Sequence, residues 1–256
     1  MSVRGATSKP TLVFIHGFLG RPADWHRVVE QLSERYQCLL LTVPDRDEQG
    51  QPLGDWQGLL RACEHHWTAL LPHRFTLIGY SLGGRIALAL SQTWLTRLEA
   101  LVLESVHPGL STASARHQRR QHDRQWSDAL RTKPLAQTLD RWYRQAVFAH
   151  LSESERAELI DLRSAQQPDR LADLLSAASL AGQPDYWTQA AQLPRPLLYI
   201  SGAQDAKYGA LAQQLAARRA NLIWQQMPNS GHNCHHQSPQ VYADFLSSFL
   251  TQVLHD

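Results

Sequence analysis

Six short, almost uninterrupted apolar runs, separated by longer stretches with helical periodicity, dictate what this chain can become. The runs occupy residues 11–16, 38–43, 74–79, 98–104, 197–202 and 221–226. They lack the alternation of a strand with one face in water, so they read as strands covered on both faces. Between them, Trp25, Val28, Val29 and Leu32 fall at i, i+3, i+4 and i+7. Trp56, Leu59, Leu60, Cys63, Trp67 and Leu70 make a second stripe behind a candidate N-cap, Asp55. Further helices are expected from Leu82, from Lys207, and from the Ser238-Pro239 start to the end of the chain. Strands alternating with helices imply an α/β fold with a mostly parallel, doubly wound sheet, whose ligands bind beyond the carboxyl ends of the strands.

That rhythm stops between residues 109 and 190, where only helical patterns rich in Arg, His and Gln occur. A helical insertion of this length in mid-sheet predicts a cap that helps define a substrate site. The expected division is an α/β core from residues 1–108 and 191–256, with a helical cap at 109–190. Hydrophobic residues make up 43% of the chain and the net charge is only +2, which excludes a disordered chain and argues against a nucleic-acid partner. Three scattered cysteines suit a reducing compartment. With no apolar stretch of about 18 residues, no membrane span is expected, and the expected location is the cytoplasm. Lys9, Lys133 and Lys207 are the only lysines, leaving 22 arginines, the residue suited to bidentate recognition of carboxylate or phosphate.

Gly79-Tyr80-Ser81-Leu82-Gly83 is a G-x-S-x-G sequence between a strand and a helix, the context of a nucleophile elbow. A serine hydroxyl needs a base to take its proton and a carboxylate to orient that base. In chain order, Asp205 follows the fifth apolar run and His232 follows the sixth. Taken alone, Asp205 is equally a helix N-cap. His232, Cys234, His235 and His236 also cluster in a way that could suggest a metal, but no second Cys/His pair stands at zinc spacing, so none is expected. Oxyanion donors are expected from the backbone N–H groups of Leu82 and of Phe18, which follows a turn at Gly17.

Arg85 lies in the first turn of the helix after Ser81, where the macrodipole disfavours a cation by about 0.3–1 kcal/mol. A substrate carboxylate or an internal acid could offset this. Four arginines crowd residues 116–124, where Arg116, Arg119 and Arg120 can share a face and Asp123 can pair with either of the last two. This is either a solvated helix face or an anion-binding surface. Trp142 and Tyr143 suit core or pocket wall equally.

Taken together, HGF, GYSLGGR, ESVHPGL, the R-x-x-R-R-x-x-D-R-Q-W run, Trp142-Tyr143, Leu162-Arg163-Ser164, GAQDAKYGAL and SGHN resemble one family. The chain is similar to the MenH-type 2-succinyl-6-hydroxy-2,4-cyclohexadiene-1-carboxylate synthases of menaquinone biosynthesis, within the α/β-hydrolase fold. The resemblance runs from about residue 11 to 250. It implies a lyase that removes a proton alpha to a succinyl ketone and then eliminates pyruvate, without a cofactor, from a small tricarboxylate, in a protein expected to be monomeric. Carried over residue by residue, it implies Ser81, Asp205 and His232 as the triad, Phe18 and Leu82 as oxyanion donors, and Arg85, Arg119 and Arg163 as anion-binding groups. Tyr80, Trp142 and Lys207 match further pocket positions. The charged segment Thr42-Val43-Pro44-Asp45-Arg46-Asp47-Glu48 and the pair Ser105-Val106 depart from the family pattern. A carboxylesterase or thioesterase working through a Ser81 acyl-enzyme is the alternative, and a non-catalytic binding module a third.

Overall fold

The computed structural model describes residues 1–254; residues 255 and 256, the last two of the expected C-terminal helix, lie outside the described residues. The chain forms two compact units. The first comprises residues 1–43, 67–108 and 186–256, and the second residues 44–66 and 109–185.

The first unit is built on a seven-stranded sheet of β1 (Ser2–Arg4), β2 (Thr11–Ile15), β3 (Gln37–Leu41), β4 (Phe75–Tyr80), β5 (Leu98–Glu104), β6 (Leu197–Gly202) and β7 (Ile223–Met227). Their order is β1-β3-β2-β4-β5-β6-β7, with only β1 antiparallel to its neighbour. All residues of β2, β3, β4 and β6 are buried, as continuous apolar strands in the middle of a parallel sheet should be. One face packs Phe14, Leu40, Ile78, Val102 and Ile200 into a cluster with Val28 and Leu32 of α1 (His26–Leu32) and Tyr242, Leu246 and Leu250 of α11 (Pro239–Val253). This unit also holds α3 (Leu82–Leu90), α8 (Trp187–Gln192), α9 (Ala206–Ala216), α10 (Cys234–Gln237) and a short 3-10 helix at Pro22–Trp25.

Three sequence expectations need correction. The sixth run is not covered on both faces: β7 is the sheet edge, mostly exposed or half-exposed, and Ile223 is 39% exposed. The second run leaves the sheet at Leu41 because the next backbone groups bind side chains instead. The Trp67 indole N–H donates to the Thr42 carbonyl (3.1 Å), and the Val43 N–H donates to His16 Nε2 (3.1 Å). Leu70 lies beyond the end of its helix and is exposed. The short polar strand β1 carries no hydrophobic signal and exists through its pairing with Cys38–Leu40 of β3.

The second unit consists of α2 (Trp56–Trp67, all but its last residue), α4 (Ala113–Thr132), α5 (Leu135–Tyr143), α6 (Glu153–Arg163) and α7 (Pro168–Ala177). Its helix starts follow side-chain chemistry. Asp55 accepts the Gly58 N–H ahead of α2 (2.8 Å), Thr112 accepts the Ala115 N–H (3.1 Å), and Ser152 with Glu155 forms a capping box. The charged segment after β3 joins this unit through ion pairs of Arg46 with Asp173 (2.7 Å) and Arg170 with Asp45 (3.6 Å). Burial alone would raise the Asp173 carboxyl, but hydrogen bonds from Arg131 and Arg46 outweigh it and hold the group below the ordinary aspartate range.

The turn from β4 into α3 depends on missing side chains. A methyl group on Gly83 would run into the carbonyl oxygens of Ile15 and His16. Gly83→Ala should therefore destabilise the protein by about 1–3 kcal/mol or more, read as a lower urea midpoint. Leu70→Ser, at the exposed position, should shift stability by less than about 0.5 kcal/mol.

Candidate active site

Three loops at the carboxyl ends of β4, β6 and β7 bring Ser81, Asp205 and His232 together. Ser81 sits at φ 49° and ψ −110°, a strained conformation for a residue with a side chain, worth about 1–3 kcal/mol. Gly79 and Gly84 make the turn possible, because a Cβ on Gly79 would strike the Gly84 backbone. The Ser81 N–H donates to the Glu104 carbonyl of the neighbouring strand (2.9 Å), and the Ser81 carbonyl accepts the Arg85 N–H as α3 begins (3.0 Å).

Asp205 is both N-cap and orienter. Its Oδ1 accepts the Tyr208 N–H at the start of α9 (3.2 Å), while Oδ2 lies 2.8 Å from His232 Nδ1. A carboxylate only accepts, so Nδ1 carries the proton and Nε2 is left as the acceptor for the Ser81 hydroxyl at 3.4 Å, the outer edge of hydrogen-bonding range. Asp205 and His232 are both buried. The two readings of Asp205 in the sequence are thus compatible: the cap holds the carboxylate still for the histidine. This arrangement can move a proton from serine to imidazole and stabilise the resulting cation.

The loop after β2 lies beside this centre. A Cβ on Gly17 would stand 2.8 Å from the Tyr80 ring and 3.5 Å from Ser81 Cβ. His16 staples the loop: its Nδ1 donates to the Gly17 carbonyl (2.8 Å), and its Nε2 accepts the Val43 N–H. Phe18 follows in this loop and Leu82 opens α3, so both expected oxyanion donors belong to segments flanking Ser81. The role of His16 escaped the sequence reading, since its partner at residue 43 is fixed only by the fold.

Tyr80 is buried, with its ring centroid 5.4 Å from that of His232; Tyr208 approaches the same imidazole at 4.6 Å. Lys207 is exposed in the first turn of α9, its ammonium 5.4 Å from the Tyr208 ring centroid. Arg85 is buried in the first turn of α3.

The remaining expected residues belong to the second unit. Arg119 on α4 donates from Nε to both oxygens of buried Asp123 (2.8 Å each), which also accepts the Ser179 hydroxyl (2.7 Å). Arg163 is buried at the end of α6, and Trp142 on α5 lies edge-on to Trp126 at 5.1 Å. Arg116 donates to the Gln183 carbonyl (2.5 Å), a structural use, while Arg120 is exposed.

Among the described residues, no group of three or more His, Cys, Asp and Glu is arranged to hold a metal. The cluster around His232 is spent otherwise: the Cys234 thiol donates to the Gly231 carbonyl, and His235 turns to Glu104. No helix among the described residues is long and apolar enough to cross a membrane.

Residues 12–245 match the alpha/beta hydrolase family. The chain is 36% identical over 249 residues, 96% of each chain, to the 2-succinyl-6-hydroxy-2,4-cyclohexadiene-1-carboxylate synthase of Salmonella agona. The chain belongs to this synthase family of the alpha/beta hydrolases. The synthase of Salmonella enteritidis matches to the same extent. Among solved structures, MenH from S. aureus superposes with a TM-score of 0.89 at 21% identity, over 99% of this chain and 98% of that one. A thermophilic esterase from Thermogutta terrifontis superposes at 0.78 with 19% identity, over 98% and 92%. At such identities these two likenesses speak for the fold alone. The synthase family is a set of lyases of menaquinone biosynthesis, so family membership accounts for a hydrolase-like triad in a chain that need not hydrolyse.

All three thiols are buried. Burial pushes Cys38 up to about 12 and Cys63 well above its ordinary value; Cys234 is raised by burial and then by the nearby Glu104 and Asp205 charges. A thiol raised by folding keeps its proton where the unfolded chain loses it. Its stabilisation is complete below the unfolded value of about 8.5 and declines as pH climbs above it. The urea midpoint should therefore fall between about pH 8 and pH 10, and a disulfide-exchange reagent should label no thiol until the protein is unfolded.

Proposed function

We propose that this chain catalyses elimination of pyruvate from 2-succinyl-5-enolpyruvyl-6-hydroxy-3-cyclohexene-1-carboxylate, giving 2-succinyl-6-hydroxy-2,4-cyclohexadiene-1-carboxylate. The observation that carries this reading is the near full-length identity to curated synthases of that product, in a chain whose triad is assembled. His232, oriented by Asp205, takes the Ser81 proton, and the serine oxygen takes the proton from ring carbon 2, alpha to the succinyl ketone. Charge develops on the ketone oxygen, where the N–H groups of Phe18 and Leu82 hold it. As that charge returns, a double bond forms between carbons 2 and 3. The existing one moves to carbons 4 and 5, and the carbon–oxygen bond at carbon 5 breaks. The departing enolpyruvate takes a proton and becomes pyruvate. No acyl-enzyme forms.

Arg85, Arg119 and Arg163 are assigned to the three carboxylates, with Tyr80, Trp142 and Lys207 as further substrate contacts. The Arg119–Asp123 bond supports this assignment, because a guanidinium held at Nε by a buried acid is preorganised for a bidentate guest. A cytoplasmic location and a monomeric state belong to the same reading.

Incubation with the enolpyruvyl precursor should release pyruvate, detected by coupled reduction to lactate, and Ser81→Ala should abolish it. Turnover of acyl-CoA or p-nitrophenyl esters without pyruvate release would instead favour the esterase reading. Loss of a charge-assisted bond predicts that Arg119→Ala raises KM for the tricarboxylate by roughly 10- to 100-fold. Any slow turnover of a small neutral ester should be unaffected.

A further inference from the structure

Two buried ionisable side chains take no part in the proton relay: Glu104, at the end of β5, and His235, on α10. Glu104 is wholly inaccessible and His235 is 1% exposed. The Glu104 carboxylate accepts both the His235 backbone N–H at Oε1 (3.1 Å) and the His235 ring at Oε2, 2.8 Å from Nδ1. Through its own carbonyl, Glu104 accepts the Ser81 N–H. A single residue therefore grips the nucleophile by its backbone and the histidine-bearing segment by its side chain.

Neither end of this bridge is loose. Ser105, next in the chain, has φ 50°, and its N–H donates to the Ile200 carbonyl of β6 (2.9 Å). The Tyr199 hydroxyl donates to the Val106 carbonyl (2.7 Å) and accepts the Val106 N–H (3.1 Å). On the other side, the His235 ring stacks on Trp25 at 3.8 Å and meets the edge of Tyr80 at 4.9 Å; Tyr80 in turn packs on His232. Asp205 holds His232 through Nδ1, and the Tyr80 and Tyr208 rings pack on the imidazole. Only Asn233 and Cys234 separate His232 from His235, and the Tyr80 ring lies against both imidazoles.

We propose that Glu104 and His235 form a positioning pair that sets the distance between His232 Nε2 and Ser81 Oγ, and so the rate of the proton relay rather than substrate affinity. The proposal rests on the function assigned above only for its natural substrate. The relay itself is also read by sulfonylation of Ser81 with phenylmethylsulfonyl fluoride, which needs the same serine-to-histidine transfer and no tricarboxylate.

Three substitutions test it. His235→Phe keeps an aromatic ring on Trp25 but loses the bond to Glu104. His235→Asn loses the ring but keeps a donor near the Nδ1 position. Glu104→Gln removes the carboxylate while retaining its shape. Glu104→Gln and His235→Phe should lower kcat and the sulfonylation rate together by roughly 10- to 100-fold, with KM within about twofold. His235→Asn should recover most of both rates despite lower thermal stability. If the pair were only packing, the order would reverse, with His235→Phe active and His235→Asn impaired; that result would overturn the proposal. So would an unchanged sulfonylation rate in folded Glu104→Gln, a loss confined to KM, or failure of all three variants to fold, which would assign the pair to the core. Normal sulfonylation behaviour of the predicted kind in a protein that releases no pyruvate would uphold the pair and reject the substrate instead.

Discussion

The structure depends on a backbone that cannot relax at Ser81. A side chain at φ 49° persists only when its surroundings over-determine it. They do so by close contact: Gly79 against Gly84, Gly83 against the carbonyls of Ile15 and His16, and the Ser81 N–H bound to the strand beside it. Because β4 lies between β2 and β5 in the sheet, the hydroxyl is presented where neighbouring strands end. Burial of the central strands thus holds the elbow, and the elbow determines where a base can reach it.

The imidazole is oriented by a residue that also starts a helix. Asp205 uses one oxygen to start a helix and the other to fix an imidazole, so a local folding signal becomes part of a proton relay. The hydroxyl, imidazole and carboxylate do not by themselves choose between acyl transfer and proton abstraction. That choice belongs to what binds, and here the cation supply is unusual, with arginine far outnumbering lysine. Arg119 is anchored on buried Asp123, and Arg163 is buried at the end of its helix.

Much of this was legible in the sequence because it rests on local rules. The G-x-S-x-G spacing, the stripe from Trp25 to Leu32 and the cap at Asp55 each follow from neighbours in the chain, and Ser81, Asp205 and His232 each follow an apolar run. Long-range compensation was not legible. Strand β1 has no hydrophobic pattern and is placed by its pairing with β3, while the exposure of β7 follows from its place at the sheet edge. The charged segment around Arg46 gives no sign that its partner is Asp173. Nothing in the sequence around His235 points to its partner Glu104, 131 residues away. In each case the deciding contact joins groups that no periodicity connects.

In the proposed function Ser81 takes a proton from carbon and never becomes acylated. Single-turnover pyruvate release from precursor deuterated at ring carbon 2 measures this directly. Release should be slower from the deuterated precursor than from the protiated one, with Ser81 unmodified by mass spectrometry throughout. Equal rates from the two precursors, together with a covalent adduct on Ser81, would contradict it.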